Sequence, residues 1–330
     1  MEMVARFKAV RVDRGGDRAS MENEARELPR AGQEIEDRER RIINYCKSPD
    51  FDFDMFESGQ FWKEAPKVRK NRLRELLNEG RSTVGTHVII PWPGIVEIIG
   101  HSGAFDYVEY VGEYSPFSLE LLEEFGRAID LFPEMSSMMK VEEQTRGFIA
   151  TRAVDAGIQN VLFTDCRSAE DVAECVRLIR PETPRAGGIH GYGMRRSIGY
   201  ASYGGAEEWA EAMGNVVIAI MIEKKGAMED LDAILSVPGV DMVQFGPSDY
   251  SISIGKPGQS ADPDVQQAHH TMIQAALEKG VHPRVEVTSF EQARPFLQMG
   301  VRHFCIGWDV RTIFSWCREQ GKGMRELLGG

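Results

Sequence analysis

The run NVVIAIMIE at 215–223 decides how the rest of the chain is read. Its apolar stretch, VVIAIMI at 216–222, falls far short of the ~20 residues that a membrane-crossing helix needs, is rich in β-branched residues, and stops on a carboxylate. A short unbroken apolar run of this kind is what a strand covered on both faces by helices requires, and that points to a parallel sheet. Seven further runs have the same character: VGTHVII (84–90), DYVEYV (106–111), SSMMKV (136–141), NVLF (160–163), VDMVQFG (240–246), VHPRVEV (281–287) and RHFCIG (302–307). Between them lie helix-length amphipathic segments. SLELLEEFGRAIDLF has apolar residues at helical spacing, and SAEDVAECVRLIRP opens on Ser168 as an N-cap with Pro181 beyond its end. Eight β/α units over about 250 residues predict an α/β fold of the TIM (β/α)8 barrel type, which collects its chemistry at the C-terminal ends of the strands.

Composition narrows the function classes. The chain has 330 residues, 42% of them apolar and 27% charged, enough to bury a sizeable core. A net charge of −12 argues against nucleic acid as partner, because binding to a duplex is driven by neutralising phosphates. No run has the length of a membrane span and MEMVARFKAVRVDRGG lacks the apolar block of a secretory signal, so the expected location is cytoplasmic. Cys46, Cys166, Cys175, Cys305 and Cys317 show neither CxxC nor CxxH spacing and are expected to be reduced thiols. Residues 1–70 differ from the rest, with RELPRAGQEIEDRERR followed by the aromatic patch FDFDMFESGQFW (51–62). They are assigned to an N-terminal extension, either a partly disordered tail or an arm that packs Phe51, Phe53, Phe56, Phe61 and Trp62. Residues 71–330 are assigned to the barrel.

The strand ends carry the candidate chemistry. Glu223 closes the fifth run, and Asp249 follows the sixth in GPSD (246–249). Carboxylates ending two adjacent parallel strands converge on one rim, and with waters they suit octahedral Mg²⁺ or Mn²⁺, with Co²⁺ also accommodated. Either acid alone is more often a helix N-cap or a solvated turn residue. Gly246 permits close backbone approach, and beyond Pro247 the amides of Ser248 and Asp249 suit an anion-binding turn. Lys140 ends the third run, where it either binds a substrate carboxylate or developing oxyanion or reaches solvent. His87, within the first run, and Trp92, just after it in PWPG, are candidates for the mouth. The long connection 182–214, with His190, Arg195, Arg196, Tyr200 and Tyr203, reads as a lid or a subunit contact.

From about residue 71 to 328 the chain resembles the HpcH/HpaI family of metal-dependent pyruvate aldolases. The resemblance is carried by NRLRELLNEGRSTVGT (71–86), GAFDYVEYVGEYSP (103–116), AVDAGIQNVLF with SAED (153–171), MIE (221–223), GVDMVQFGPSDYSISIG (239–255) and HFCIGWDV (303–310). It implies a barrel of the phosphoenolpyruvate/pyruvate-binding type and a divalent metal on Glu223 and Asp249. It further implies a 2-oxoacid held at the turn of Gly246, Pro247 and Ser248, an enolate stabilised by the metal, and a homo-oligomer arranged as a trimer of dimers. The pattern breaks at the family's D-G-E-H motif, which here reads Val111, Gly112, Glu113, Tyr114, so the Asp–His pair that serves as base is missing. Lys140 stands where the family carries an arginine, which keeps the charge and loses the planar fork. Tyr114, Glu113, His87 and His190 are the groups in reach of the vacated role, and the sequence does not choose among them. Three readings follow: a carbon–carbon lyase on a 2-oxoacid, a decarboxylase or C–C bond-forming enzyme on the same enolate, and a silent oxoacid-binding protein.

Overall fold

The computed structural model describes residues 68–193, 195–200 and 205–329; the assignments made for residues 1–67 lie outside the described residues. Eight parallel strands close on one another in chain order, with β1 (Thr83–Val88) paired to both β2 (Tyr107–Val111) and β8 (His303–Trp308). The others are β3 (Ser136–Val141), β4 (Asn160–Phe163), β5 (Val217–Ile222), β6 (Met242–Phe245) and β7 (His282–Val287). This is the (β/α)8 barrel expected from the runs, whose bounds agree to within two residues at either end.

Alternation along the strands sets what faces where, because successive side chains of a strand point to opposite faces. On β5, Val217, Ala219 and Met221 join Tyr107, Met138, Leu162 and Met242 in the inner core, while Ile218, Ile220 and Ile222 pack outward against the helices. Glu223 continues the inward phase. On β3, Met138 is inward and Met139 and Val141 outward, so Lys140 also points in.

The lower end is plugged by α1 (Arg72–Asn78), which places Leu73 and Leu77 in the inner core. Its N-cap Asn71 accepts from the Arg74 N–H and donates to Asn160 Oδ1 at 2.7 Å and to the Asn215 carbonyl at 2.9 Å. Just before it, Arg69 donates to the carbonyls of Phe132 and Met135 at 2.6 Å, so residues 68–70, assigned to the extension, are already bonded to the barrel. The remaining helices are α2 (Gly94–Ser102), α3 (Leu119–Asp130), α4 (Arg146–Asp155), α5 (Ala169–Ile179), α6 (Gly205–Gly214), α7 (Lys225–Glu229), α8 (Leu231–Leu235), α9 (Pro247–Ser253), α10 (Pro263–Lys279), α11 (Ala293–Met299) and α12 (Asp309–Leu327). Ser168 caps α5 as expected, accepting from the Asp171 N–H. No described helix is long and apolar enough to cross a membrane.

The connection 182–214 is not a lid over the mouth. It leads from the end of a helix to the start of a strand, and such connections lie at the end of a barrel opposite the strand C-termini. Arg180 accordingly donates to the carbonyls of Met213, Gly214 and Val216, and Arg196 bonds the Ala156 carbonyl and Asp130 at the lower ends of α4 and α3. Tyr203 lies outside the described residues.

Candidate active site

At the upper rim the β5 end delivers Glu223 with its side chain 2% exposed. Glu223 Oε1 accepts from the Asp165 N–H at 2.9 Å. Asp165 holds a left-handed backbone, φ 58°, which is uncommon for a residue other than glycine and tends to persist at functional sites. Burial pushes the Glu223 carboxyl up to about 7; the Asp165 amide and Lys140 oppose this, while Asp249 and Asp165 add to it. A carboxylate so placed gains most from a cation.

The neighbours supply room and charge. Asp249 lies in the first turn of α9, with Pro247 at its start and Gly246 before it. A Cβ at Gly246 would stand 2.6 Å from Glu223 Oε2, so any larger residue there would fill the space beside that oxygen. Lys224 Nζ sits 2.6 Å from Asp165 Oδ1 and only 3.7 Å from Asp249 Oδ1, so Asp249 is loosely paired. Two carboxylates, one buried and one open, form a hard oxygen set that fits Mg²⁺ or Mn²⁺.

Lys140 faces this pair from β3. Its Nζ is 2.6 Å from Glu113 Oε2, 3.4 Å from Tyr114 Oη and 4.9 Å from the centre of the Tyr114 ring. Burial works against its charge, but Glu113, Tyr114 and Glu223 more than offset that and raise its pKa, so it stays an ammonium. Tyr114 is 54% exposed and its pKa is also raised: burial leads, Glu113 and Asp249 add to it, and Lys140 opposes. The Tyr114 hydroxyl is therefore held as a phenol at neutral pH, accepting from the Lys140 ammonium.

Two of the expected mouth residues lie elsewhere. His190 is 3% exposed and sits at the lower end, its Nε2 3.0 Å from Asp155 Oδ1, with Arg195 on both, because its connection runs from helix to strand. His87 points into the barrel at 1% exposure, covered by Trp308 stacked 4.2 Å away, so it does not line the mouth. Its Nε2 lies 3.6 Å from Glu109 Oε1 and 3.8 Å from Glu286 Oε2. Trp92 does stand at the upper end, 57% exposed in the loop after β1, with its ring against Gly94.

Four residues of this region were missed. Trp308 donates its indole N–H to Glu286 Oε1 at 2.7 Å and lies 6.5 Å from the Tyr114 ring, Asp165 orients Glu223, and Lys224 balances Asp165. Glu286 carried a legible signal, a charge in the inward phase of VHPRVEV together with Arg284.

His87, Glu109 and Cys305 also gather within metal-ligand range inside the barrel, but they do not suit one ion. Glu109 faces Nε2 of the ring whereas Cys305 Sγ lies 3.5 Å from Nδ1, and Glu109 already accepts from the fully buried Arg284. This cluster is a buried ion-pair layer beneath the mouth.

A buried acid, an open acid and a lysine thus converge on the upper rim of the closed eight-stranded barrel. A sequence model of the HpcH/HpaI aldolase/citrate lyase family matches residues 117–315. The chain belongs to that family of lyases and aldolases. It is 27% identical over 245 residues to a hydroxypyruvate/pyruvate aldolase of Roseobacter denitrificans, covering 74% of this chain and 93% of the relative. It is also 27% identical over 252 residues to a 4-hydroxy-2-oxo-heptane-1,7-dioate aldolase of Escherichia coli, covering 74% and 91%. The crystal structure of an HpcH/HpaI aldolase from Desulfitobacterium hafniense superposes with a TM-score of 0.70 at 25% identity, covering 77% of this chain and 96% of that one.

Proposed function

We propose that the protein is a metal-dependent carbon–carbon lyase that acts on a 2-oxoacid through an enolate. The observation that carries this is Glu223, a buried carboxylate held on the Asp165 amide, with no side chain at Gly246 to fill the space beside its second oxygen. Glu223 and Asp249 hold Mg²⁺ or Mn²⁺, which supplies Lewis-acid stabilisation of negative charge on the substrate oxygens. Beyond Gly246 and Pro247, the backbone N–H groups of Ser248 and Asp249 in the first turn of α9 donate to the substrate carboxylate, and Trp92 shields the mouth. Lys140, fixed in its charged form, pairs with developing negative charge, and the Tyr114 hydroxyl donates a hydrogen bond there. Glu113, held on Lys140, is the carboxylate in position to accept a proton in place of the missing histidine.

A second reading rests on the protonated state of Tyr114. With no neutral-pH base of the family's kind at the mouth, decarboxylation or C–C bond formation on the same enolate demands less of the protein. The protein also forms a homo-oligomer, because α12 has no buried residue and leaves Ile313, Phe314 and Trp316 exposed.

Pyruvate release from a panel of 4-hydroxy-2-oxoacids, with oxaloacetate decarboxylation alongside, tests the reading. Release that requires Mg²⁺ or Mn²⁺, stops with EDTA and disappears in Glu223→Gln is expected. Undiminished activity in Glu223→Gln would remove the metal role from that residue.

A further inference from the structure

Cys166 lies in the turn after β4 and Cys175 in α5, and both are buried thiols. Nine positions apart in the sequence, they stand with sulfurs 3.8 Å from each other. Arg146, the first residue of α4, places Nη1 3.2 Å from each sulfur. Two thiols at contact distance under one guanidinium are not needed for packing, since an apolar pair would fill the same space without burying part of a cation. A nearby cation favours thiolate, the nucleophilic form of cysteine. The pair is polarised: the Cys166 thiol hydrogen bond and then Arg146 lower the Cys175 pKa against the effect of burial, whereas the bond to Cys175 and burial raise that of Cys166. Arg146 is only half-buried, so a swing of its side chain opens both sulfurs to a small oxidant.

We propose that Cys166 and Cys175 are a hydroperoxide-reactive pair that closes to a disulfide between the β4 turn and α5, with Arg146 stabilising the attacking thiolate. Cys175 Sγ donates its electron pair to one peroxide oxygen, the O–O bond breaks, and the departing alkoxide or hydroxide takes a proton, leaving Cys175 as a sulfenic acid. Cys166 Sγ then attacks Cys175 Sγ, the S–O bond breaks, and the Cys166 proton leaves with the hydroxide as water. The two thiols lose two electrons together, and one hydroperoxide is reduced to its alcohol and water. Closure also bears on the rim, because Asp165, which directly precedes Cys166, holds Glu223 through its amide; this last consequence rests on the metal-site reading.

The test is hydrogen peroxide treatment of the full-length protein, alkylation, and non-reducing tryptic mass spectrometry. Cys166 falls in the peptide 153–167 and Cys175 in 168–177, each with a single cysteine. A linked species lighter than the two peptides by two hydrogens, abolished by reductant and by Cys175→Ser, is expected. Arg146→Gln is expected to slow its formation about tenfold at neutral pH. Recovery of both peptides as alkylated thiols while the exposed Cys317 is oxidised would overturn the proposal, and so would linkage at an undiminished rate in Arg146→Gln for the role of the guanidinium. Mn²⁺ titration of the oxidised protein reads the coupling: affinity reduced at least about tenfold and restored by reductant supports it, and unchanged affinity with the link present refutes the coupling alone.

Discussion

In the proposed site Glu113 stands in for the missing histidine and Lys140 for the arginine, and Tyr114 adds a hydrogen bond beside them. Because the Tyr114 hydroxyl is held as a phenol beside the Lys140 ammonium, its loss removes one hydrogen bond and no base. Tyr114→Phe is therefore expected to lower turnover about tenfold or less, some ~1.4 kcal/mol. Lys140→Met removes the buried cation that faces Glu223 and is expected to cost about 10²–10³-fold, the range for losing a transition-state charge partner. Steady-state rates of the two variants, measured at saturating metal, check both. A Tyr114→Phe variant as inactive as Lys140→Met would show that the phenol moves a proton. None of this was legible in the residue types alone: a tyrosine in the place of a histidine reads equally as base, acid or spectator until its neighbours are known.

At the scale of the strands, β1, β2, β7 and β8 enclose a charged layer under the mouth. His87 from β1 sits among Glu109 from β2, Glu286 from β7 and Cys305 from β8, with its Nδ1 3.0 Å from the Gly307 carbonyl and Trp308 stacked above. Burial disfavours its charge, yet Cys305, Glu109 and Glu286 outweigh that and raise its pKa to about 9. A group raised above its unfolded value of about 6.5 adds stability that is fully present below that pH. The contribution is lost as pH rises through about 9. Urea midpoints are expected to fall between pH 6 and pH 9.5 in the natural chain, and to fall less in His87→Gln; an equal fall in both would remove His87 from the titration. The strands themselves were readable because parallel strands buried on both faces are apolar throughout, as VVIAIMI shows. The layer was not, because its members come from runs far apart whose register only the closed barrel fixes. At β1 that register shifts between Gly85 and His87, and His87 pairs with Trp308. The placement of His190 was within reach of sequence reasoning, since a connection that follows a helix and precedes a strand belongs at the lower end.

For the whole molecule, α12 is the element that a single described barrel does not satisfy. A long amphipathic helix with no buried residue gains little from propensity alone and needs a partner for its apolar side. Light scattering coupled to size exclusion is expected to give a mass at least twice that of the 37.0 kDa chain. Trp316→Glu is expected to shift it toward the monomer; a monomeric natural chain would overturn the homo-oligomer, and an unshifted variant would place the contact elsewhere.

The most direct measurement is proton NMR of pyruvate in D₂O with the purified protein, with and without Mg²⁺ or Mn²⁺, beside Glu223→Gln. Loss of the methyl signal that requires the metal, exceeds the rate with free metal and vanishes in Glu223→Gln is the expected result. No exchange above the free-metal background, or exchange that persists in Glu223→Gln, would contradict enolisation of pyruvate at the rim of Glu223 and Asp249.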